Sequence, residues 1–356
     1  MAQPARLSGF KKGYGERMKK KLILILAMTL TLSIGAPIIA SAASFPAVNT
    51  VFDKKVFEAS DGYKLNYRIY LPADYSPDKE YPFLLFFHGA GEKGNDNESQ
   101  LKTGVQNMFT YSGGKVENSI VVAPQCPLLN PDTAKWVNVP NWVDGCNYST
   151  DEIAESQQMK AVVELLGYIR ENYSTDQSRW YVTGLSMGGF ATWDMIVRHT
   201  DLWAAAVPIC GGGDYRKANV IKDLPIWTFH GDQDPTVPYT GTEKIVESLK
   251  AAGSTVIKYN RLEGQRHDIW SGVYANPMVW NWMYSQQNTE AVDTKPVETE
   301  PVATESASDT ATESVADVTQ AAPDKGGCGS ALGASAVAVA TVAGAAVAVS
   351  KKKKKK

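Results

Sequence analysis

At 356 residues, with 36 Lys and Arg against 38 Asp and Glu, the chain carries a formal charge of only −2. Its basic residues gather at the two ends while the middle is net acidic, so nucleic acid is not expected as a partner. Four cysteines, three of them in the middle, allow at most one internal bridge and rule out a disulfide scaffold.

From Met18, "MKKKLILILAMTLTLSIGAPIIASAAS" runs from a Lys-rich start through an apolar stretch to an A-x-A site at Ala40, Ser41 and Ala42. This is the layout of a secretory signal peptide. Residues 1–42 are therefore set apart as an N-terminal extension and signal, with the mature chain expected from about Ala43.

"KKVFEA" and "KLNYRIYL" both alternate and are separated by "SDGY", which predicts an antiparallel hairpin. "YPFLLFF" follows, a continuous apolar run too short for a helix, as expected of a strand covered on both faces. "SIVVAP", "RWYVTG", "WAAAVPI", "LPIWTFH" and "STVIKYNRL" repeat that character. Between them lie stretches of helical period: "DEIAESQQMKAVVELLGYIRENY", "GGFATWDMIVRHT" and "TGTEKIVESLKAAG". Alternating strand and helix predict an α/β domain over residues 43–286, a mostly parallel central sheet flanked by helices with an antiparallel hairpin at its start. Export makes a bridge possible, and Cys126 with Cys146 is the first pair to consider. No Cys or His spacing matches a metal site, and no cofactor is expected.

Residues 287–327 are rich in Thr, Ser, Pro and acids and contain no aromatic residue. Such a segment buries too little apolar surface to offset its ordering entropy and is expected to be a disordered stalk. Residues 328–356 follow: Ala331 to Ser350 carry no charge over about 20 residues, one bilayer's worth of helix, and six lysines close the chain. This transmembrane or sorting segment would anchor the protein at the membrane or cell wall with its lysines inside and the domain outside. It resembles a C-terminal surface-sorting signal without an LPxTG motif.

In open parallel sheets ligands gather beyond the carboxyl ends of the strands. There, "WYVTGLSMGGFATWD" sets Gly184-Leu185-Ser186-Met187-Gly188, a G-x-S-x-G pattern, between a strand and a helix. The sharp turn exposes Ser186 and needs glycines for room, and it aims the Met187 N–H at the place where an oxyanion would form. A serine hydroxyl needs a base, and the order nucleophile, acid, histidine selects His267 from four histidines. In "HGDQDPTVP", Asp232 and Asp234 both stand where the acid is required; Asp268, next to His267 in sequence, is poorly placed to reach that ring. The loop "HGAGEKGNDN" offers a second oxyanion donor in the Ala90 N–H, and His88 reads as structural. Gln125, Trp136, Trp142 and Trp270 are candidates to line a substrate pocket, the tryptophans as stacking surfaces for a sugar or phenolic ring.

"LNYRIYLP", "YPFLLFFHGAGEKGNDN", "VVAPQCP", "RWYVTGLSMGGFATWD", "PICGGGD", "FHGDQDPTVP" and "HDIWSGVYANPMVWNWM" together resemble the α/β-hydrolase family of phospholipase/carboxylesterase-like "predicted peptidase" proteins, similar to esterases that remove feruloyl and acetyl groups from plant polysaccharides. The resemblance implies Ser186 as nucleophile, Asp234 as acid, His267 as base, and Ala90 and Met187 as oxyanion donors. It implies a carboxylesterase acting on acyl esters. A peptidase with the same triad and a non-catalytic carbohydrate-binding surface protein are the alternative readings. Where relatives carry "GxGHDSW" this chain has "GQRHDIW", with Arg266 before the histidine.

Overall fold

The computed structural model describes residues 45–130, 132–143 and 147–290. They fall within the first of two compact units, Met1–Val297; the second, Glu298–Lys356, lies outside the described residues. The expected signal segment and C-terminal anchor lie outside them as well, as does all but the start of the expected stalk. Among the described residues no helix is long and apolar enough to cross a membrane.

Among the described residues eight strands form one sheet: β1 (Asp53–Glu58), β2 (Lys64–Tyr70), β3 (Tyr81–Phe87), β4 (Ile120–Pro124), β5 (Thr175–Leu185), β6 (Ala205–Ile209), β7 (Ile226–Gly231) and β8 (Ile257–Leu262). Their spatial order is β1-β2-β4-β3-β5-β6-β7-β8. The expected hairpin is present, since β1 pairs antiparallel with β2, and β2 runs antiparallel to β4. From β4 through β8 every pairing is parallel. The helices are α1 (Val48–Val51), α2 (Val105–Tyr111), α3 (Gln157–Asn172), α4 (Met187–Arg198), α5 (Ala218–Ile221), α6 (Thr240–Ala251), α7 (Trp270–Tyr274) and α8 (Pro277–Met283). This is the mostly parallel, helix-covered sheet that the alternation predicts, in the α/β-hydrolase arrangement that the family resemblance implies.

The strand period of two explains how one apolar run serves two cores. On β3, Phe83, Leu85 and Phe87 join the core covered by α3, α4 and α6, where Leu165, Ile169, Phe190 and Ile245 pack. Leu84 and Phe86 point the other way, into a second core with Val105 and Met108 of α2 and Val279 and Trp280 of α8. Every residue of β3 is buried, which is why the run shows no alternation. Pro82 has no N–H to give, and the β3–β5 register shifts between Tyr81 and Phe83, where the ladder skips it.

The helical stretch expected from Asp151 begins at Gln157. Ser156 sets that start: its hydroxyl accepts from Met159 N (3.1 Å) as an N-cap and donates to Trp136 O (2.6 Å), fixing the chain as it enters the helix. The preceding turn is tied down by Asp214, whose carboxylate accepts from Thr150 N at 2.8 Å, and by Arg198, which donates to the carbonyls of Thr150 and Ile153. Cys126 is a buried free thiol among the described residues, and Cys146, the partner considered for it, lies outside them.

Candidate active site

β5 ends at Leu185 and α4 begins at Met187, leaving Ser186 alone in the turn with φ 54° and ψ −118°. A positive φ is costly for a residue with a side chain, roughly 1–3 kcal/mol, and persists only where the surroundings impose it. Here Ser186 N donates to Ile209 O (2.9 Å) while Ser186 O accepts from Gly189 N (2.8 Å) and Phe190 N (3.1 Å). The flanking glycines are demanded by contact: a Cβ on Gly184 would lie 2.3 Å from Gly188 O, and one on Gly188 would lie 2.0 Å from Phe87 O. Without those side chains α4 seats its first turn directly on the ends of β5 and β3. Met187, first in the helix, has no partner within it for its N–H.

The loop leaving β3 is organised by His88, which is fully buried. Its Nε2 accepts from Cys126 N at 2.9 Å, so the proton sits on Nδ1, which donates to Gly89 O at 2.6 Å. Burial pushes the ring down to about 4, keeping it neutral. Because a trans peptide points its C=O and N–H in opposite directions, pulling Gly89 O toward His88 turns the Ala90 N–H outward. Ala90 then lines a cleft of about 300 Å³ together with Gly89, Gly91, Glu92, Leu185, Ser186, Thr236, His267 and Trp270.

His267 lies in the loop between β8 and α7, and its ring bridges two partners. Asp234 accepts only, so the ring proton sits on Nδ1 and is donated to Asp234 Oδ2 at 2.6 Å; the free Nε2 accepts from Ser186 Oγ at 2.8 Å. Trp270 stands edge-on to the ring, centroids 5.3 Å apart at 87°. Asp234 follows β7, its side chain fully covered. Burial by itself would raise its pKa. Donors from His230, His267, Val237 N and Thr236 N outweigh that and hold the carboxyl well below the usual range, leaving it ionised. Asp232, the other candidate, points elsewhere: its Oδ1 accepts from Gly264 N at 2.8 Å and its Oδ2 faces Arg261 Nε at 3.7 Å. Asp268 has no hydrogen bond to His267.

Beneath this arrangement lies a second, wholly buried histidine near the end of β7, one of the four in the sequence and given no role there. His230 Nε2 donates to Asp234 Oδ2 (3.1 Å) and Val237 O (2.9 Å), and its Nδ1 meets Thr242 Oγ1 (2.7 Å), which donates to Gly211 O (2.6 Å). The signal was its i, i+4 spacing from Asp234 across the turn. Cys210, strained at φ 49°, donates its thiol to His267 O at 3.2 Å. Ligand atoms of Cys210, His230 and Asp234 lie within 4.8 Å of one another, a closeness that sequence spacing did not show. Each is already engaged as described, so the trio reads as a buried polar cluster that holds Asp234 and His267 in place.

Of the expected pocket residues only Trp270 lines the cleft. Trp136 does not: it is fully buried against Phe87 and His88 and donates to His88 O at 3.2 Å. Gln125 is buried behind the loop, where its Oε1 accepts from Asn97 N (2.7 Å) and its Nε2 donates to Asp96 Oδ1 (2.7 Å). Both shape the loop and leave no surface for substrate. Trp142 packs edge-on against Phe190. Glu92 and Thr236, which do line the cleft, were not singled out, because a loop glutamate and threonine carry no periodic or motif signal.

The sheet order and the serine–histidine–aspartate geometry define an α/β-hydrolase. The chain belongs to the esterase family described as "Putative esterase", whose model matches residues 59–267. A thermostable esterase of known structure superposes with a TM-score of 0.60 at 32% identity, covering 67% of this chain and 64% of that one. A bifunctional acetylxylan esterase/xylanase of Neocallimastix patriciarum is 22% identical over 194 residues, 54% of this chain and 25% of that protein. An endo-1,4-beta-xylanase of Acetivibrio thermocellus is 29% identical over 180 residues, 48% of this chain and 15% of that protein. This chain thus spans a quarter or less of the curated relatives it matches.

Proposed function

We propose that the protein is a carboxylic ester hydrolase that acts through an acyl-enzyme on Ser186. The observation that carries this reading is the continuous run from Ser186 Oγ to His267 Nε2 at 2.8 Å and from His267 Nδ1 to Asp234 Oδ2 at 2.6 Å. Ser186 Oγ attacks the acyl carbon as its proton passes to His267, whose developing charge Asp234 stabilises. The N–H groups of Met187 and Ala90 hold the oxyanion. His267 then gives its proton to the departing alcohol, and water, deprotonated by the same ring, releases the acid and restores the serine. The turn that exposes Ser186 and the loop that aims Ala90 support this assignment independently of the triad.

The acetylxylan esterase named among the relatives supports short acyl esters of polysaccharide as the substrate class. The A-x-A signal and the uncharged run before the terminal lysines support export and retention at the cell surface. Hydrolysis of p-nitrophenyl acetate by the full chain and by Ser186→Ala tests the reading. Turnover in the first and none above background in the second is expected, and equal turnover in both overturns it.

A further inference from the structure

The cleft that holds Ser186 and His267 contains one carboxylate, that of Glu92, and no Lys or Arg among its lining residues. Glu92 is fixed on several sides. Its N–H donates to Gly89 O at 3.3 Å, its carbonyl accepts from Gln125 Nε2 at 3.4 Å, and its Oε1 accepts from Thr103 Oγ1 at 2.7 Å. The other oxygen, Oε2, has no hydrogen-bond donor among the described residues. It lies above the turn where loop and nucleophile meet, 3.0 Å from where a Cβ on Gly89 would sit, beside Leu185. Among the described residues no Lys, Arg or His pairs with this carboxylate, although such pairs are common elsewhere on the domain.

A negative charge beside an oxyanion site opposes the reaction, since the charge it would meet in the transition state has the same sign. An unpaired acceptor there also favours a donor on the substrate. Building on the hydrolase reading above, we propose that Glu92 sets the charge selectivity of the cleft: Oε2 accepts a hydrogen bond from a hydroxyl carried by the substrate, and its charge turns away esters with a carboxylate near the scissile bond. The substrate class is then a neutral acyl ester of a hydroxyl-bearing alcohol, with dicarboxylate half-esters excluded. Thr103 acts as a positioning residue that keeps Oε2 directed at the cleft.

The test compares kcat/KM for p-nitrophenyl acetate and for mono-p-nitrophenyl succinate in the full chain and in Glu92→Gln, which keeps the shape and the Thr103 bond but removes the charge. The preference for acetate over succinate is expected to fall about tenfold in Glu92→Gln, the scale of a Coulomb repulsion across a few ångströms at a protein surface. A ratio within twofold of wild type overturns the proposal. If Glu92→Gln lacks a cooperative unfolding transition, the wild-type protein decides: the succinate rate is expected to rise severalfold relative to acetate between low salt and 1 M salt, and a flat ratio overturns the proposal. An unchanged ratio with acetate turnover that still depends on Ser186 removes the role of Glu92 alone, whereas no acetate turnover in the wild type removes the hydrolase reading as well.

Discussion

His230 Nε2 lies 3.1 Å from the same Asp234 oxygen that His267 Nδ1 approaches at 2.6 Å, so one carboxylate oxygen serves an outer histidine facing the cleft and an inner one facing the core. The inner ring is locked by Thr242 and Val237 and cannot turn away. It fixes the direction in which Asp234 presents that oxygen.

His230→Leu is therefore expected to lower kcat/KM for p-nitrophenyl acetate by about 10- to 100-fold, the equivalent of a hydrogen bond to a charged group worth about 1.5–3 kcal/mol. His230→Gln, which can still donate to Asp234, should recover part of the loss. Equal activity in all three proteins would show that Asp234 needs no such support.

The two aspartates of the β7 loop should separate sharply. Asp234→Asn is expected to cut kcat by about 10⁴-fold, because an amide can present a donor to Nδ1 and favour the wrong tautomer. Asp232→Asn keeps an oxygen that can accept from Gly264 N and loses only an ion pair with half-exposed Arg261, and kcat within a fewfold of wild type is expected. The reverse order would reassign the acid.

The tryptophans expected to line the pocket should divide by burial. Trp136→Ala empties a fully covered position and is expected to lower unfolding free energy by about 3–5 kcal/mol in urea. Trp270→Ala, at the cleft and edge-on to His267, should leave stability closer to wild type while changing KM. A large KM effect confined to Trp136→Ala would place the substrate elsewhere.

His88 links the loop after β3 to acid stability. Its ring is neutral in the folded protein down to about 4, while in the unfolded chain it takes up a proton near 6.5. Its contribution is thus fully present above pH 6.5 and is lost as pH falls toward 4, by about 3 kcal/mol over the interval. Asp194 works against this: burial raises its carboxyl to about 6 despite the lowering pull of Arg198, so the folded state gains a proton before the unfolded state does and is favoured as pH falls. The difference in unfolding free energy between wild type and His88→Gln isolates the first effect. It should shrink by about 3 kcal/mol from pH 7 to pH 4, and a constant difference would show that His88 is not held neutral.

Much of this was legible in the sequence because it rests on local chemistry. Continuous apolar runs such as Tyr81–Phe87 require cover on both faces, and Gly184 and Gly188 mark a turn that no other residue fits. The run of Ser186, Asp234 and His267 along the chain matches the order in which the strands deliver them. What the sequence hid depends on long-range packing. Trp136 and Trp270 look alike as letters, yet one lies under the β3 loop and the other at the cleft. Gln125 was misread for the same reason, since only the fold brings Asp96 and Asn97 against it. His230 and Thr242 lie on a strand and a helix whose facing sides the helical period alone cannot pair.

Rapid quenching of the reaction with p-nitrophenyl acetate, followed by peptide mass analysis, probes the relay at the atom where it begins. A burst of p-nitrophenol stoichiometric with enzyme, and one acetyl group on the peptide that contains Ser186, is the predicted result. Full turnover with the acetyl group on another residue, or with none on Ser186 at any time, would contradict it.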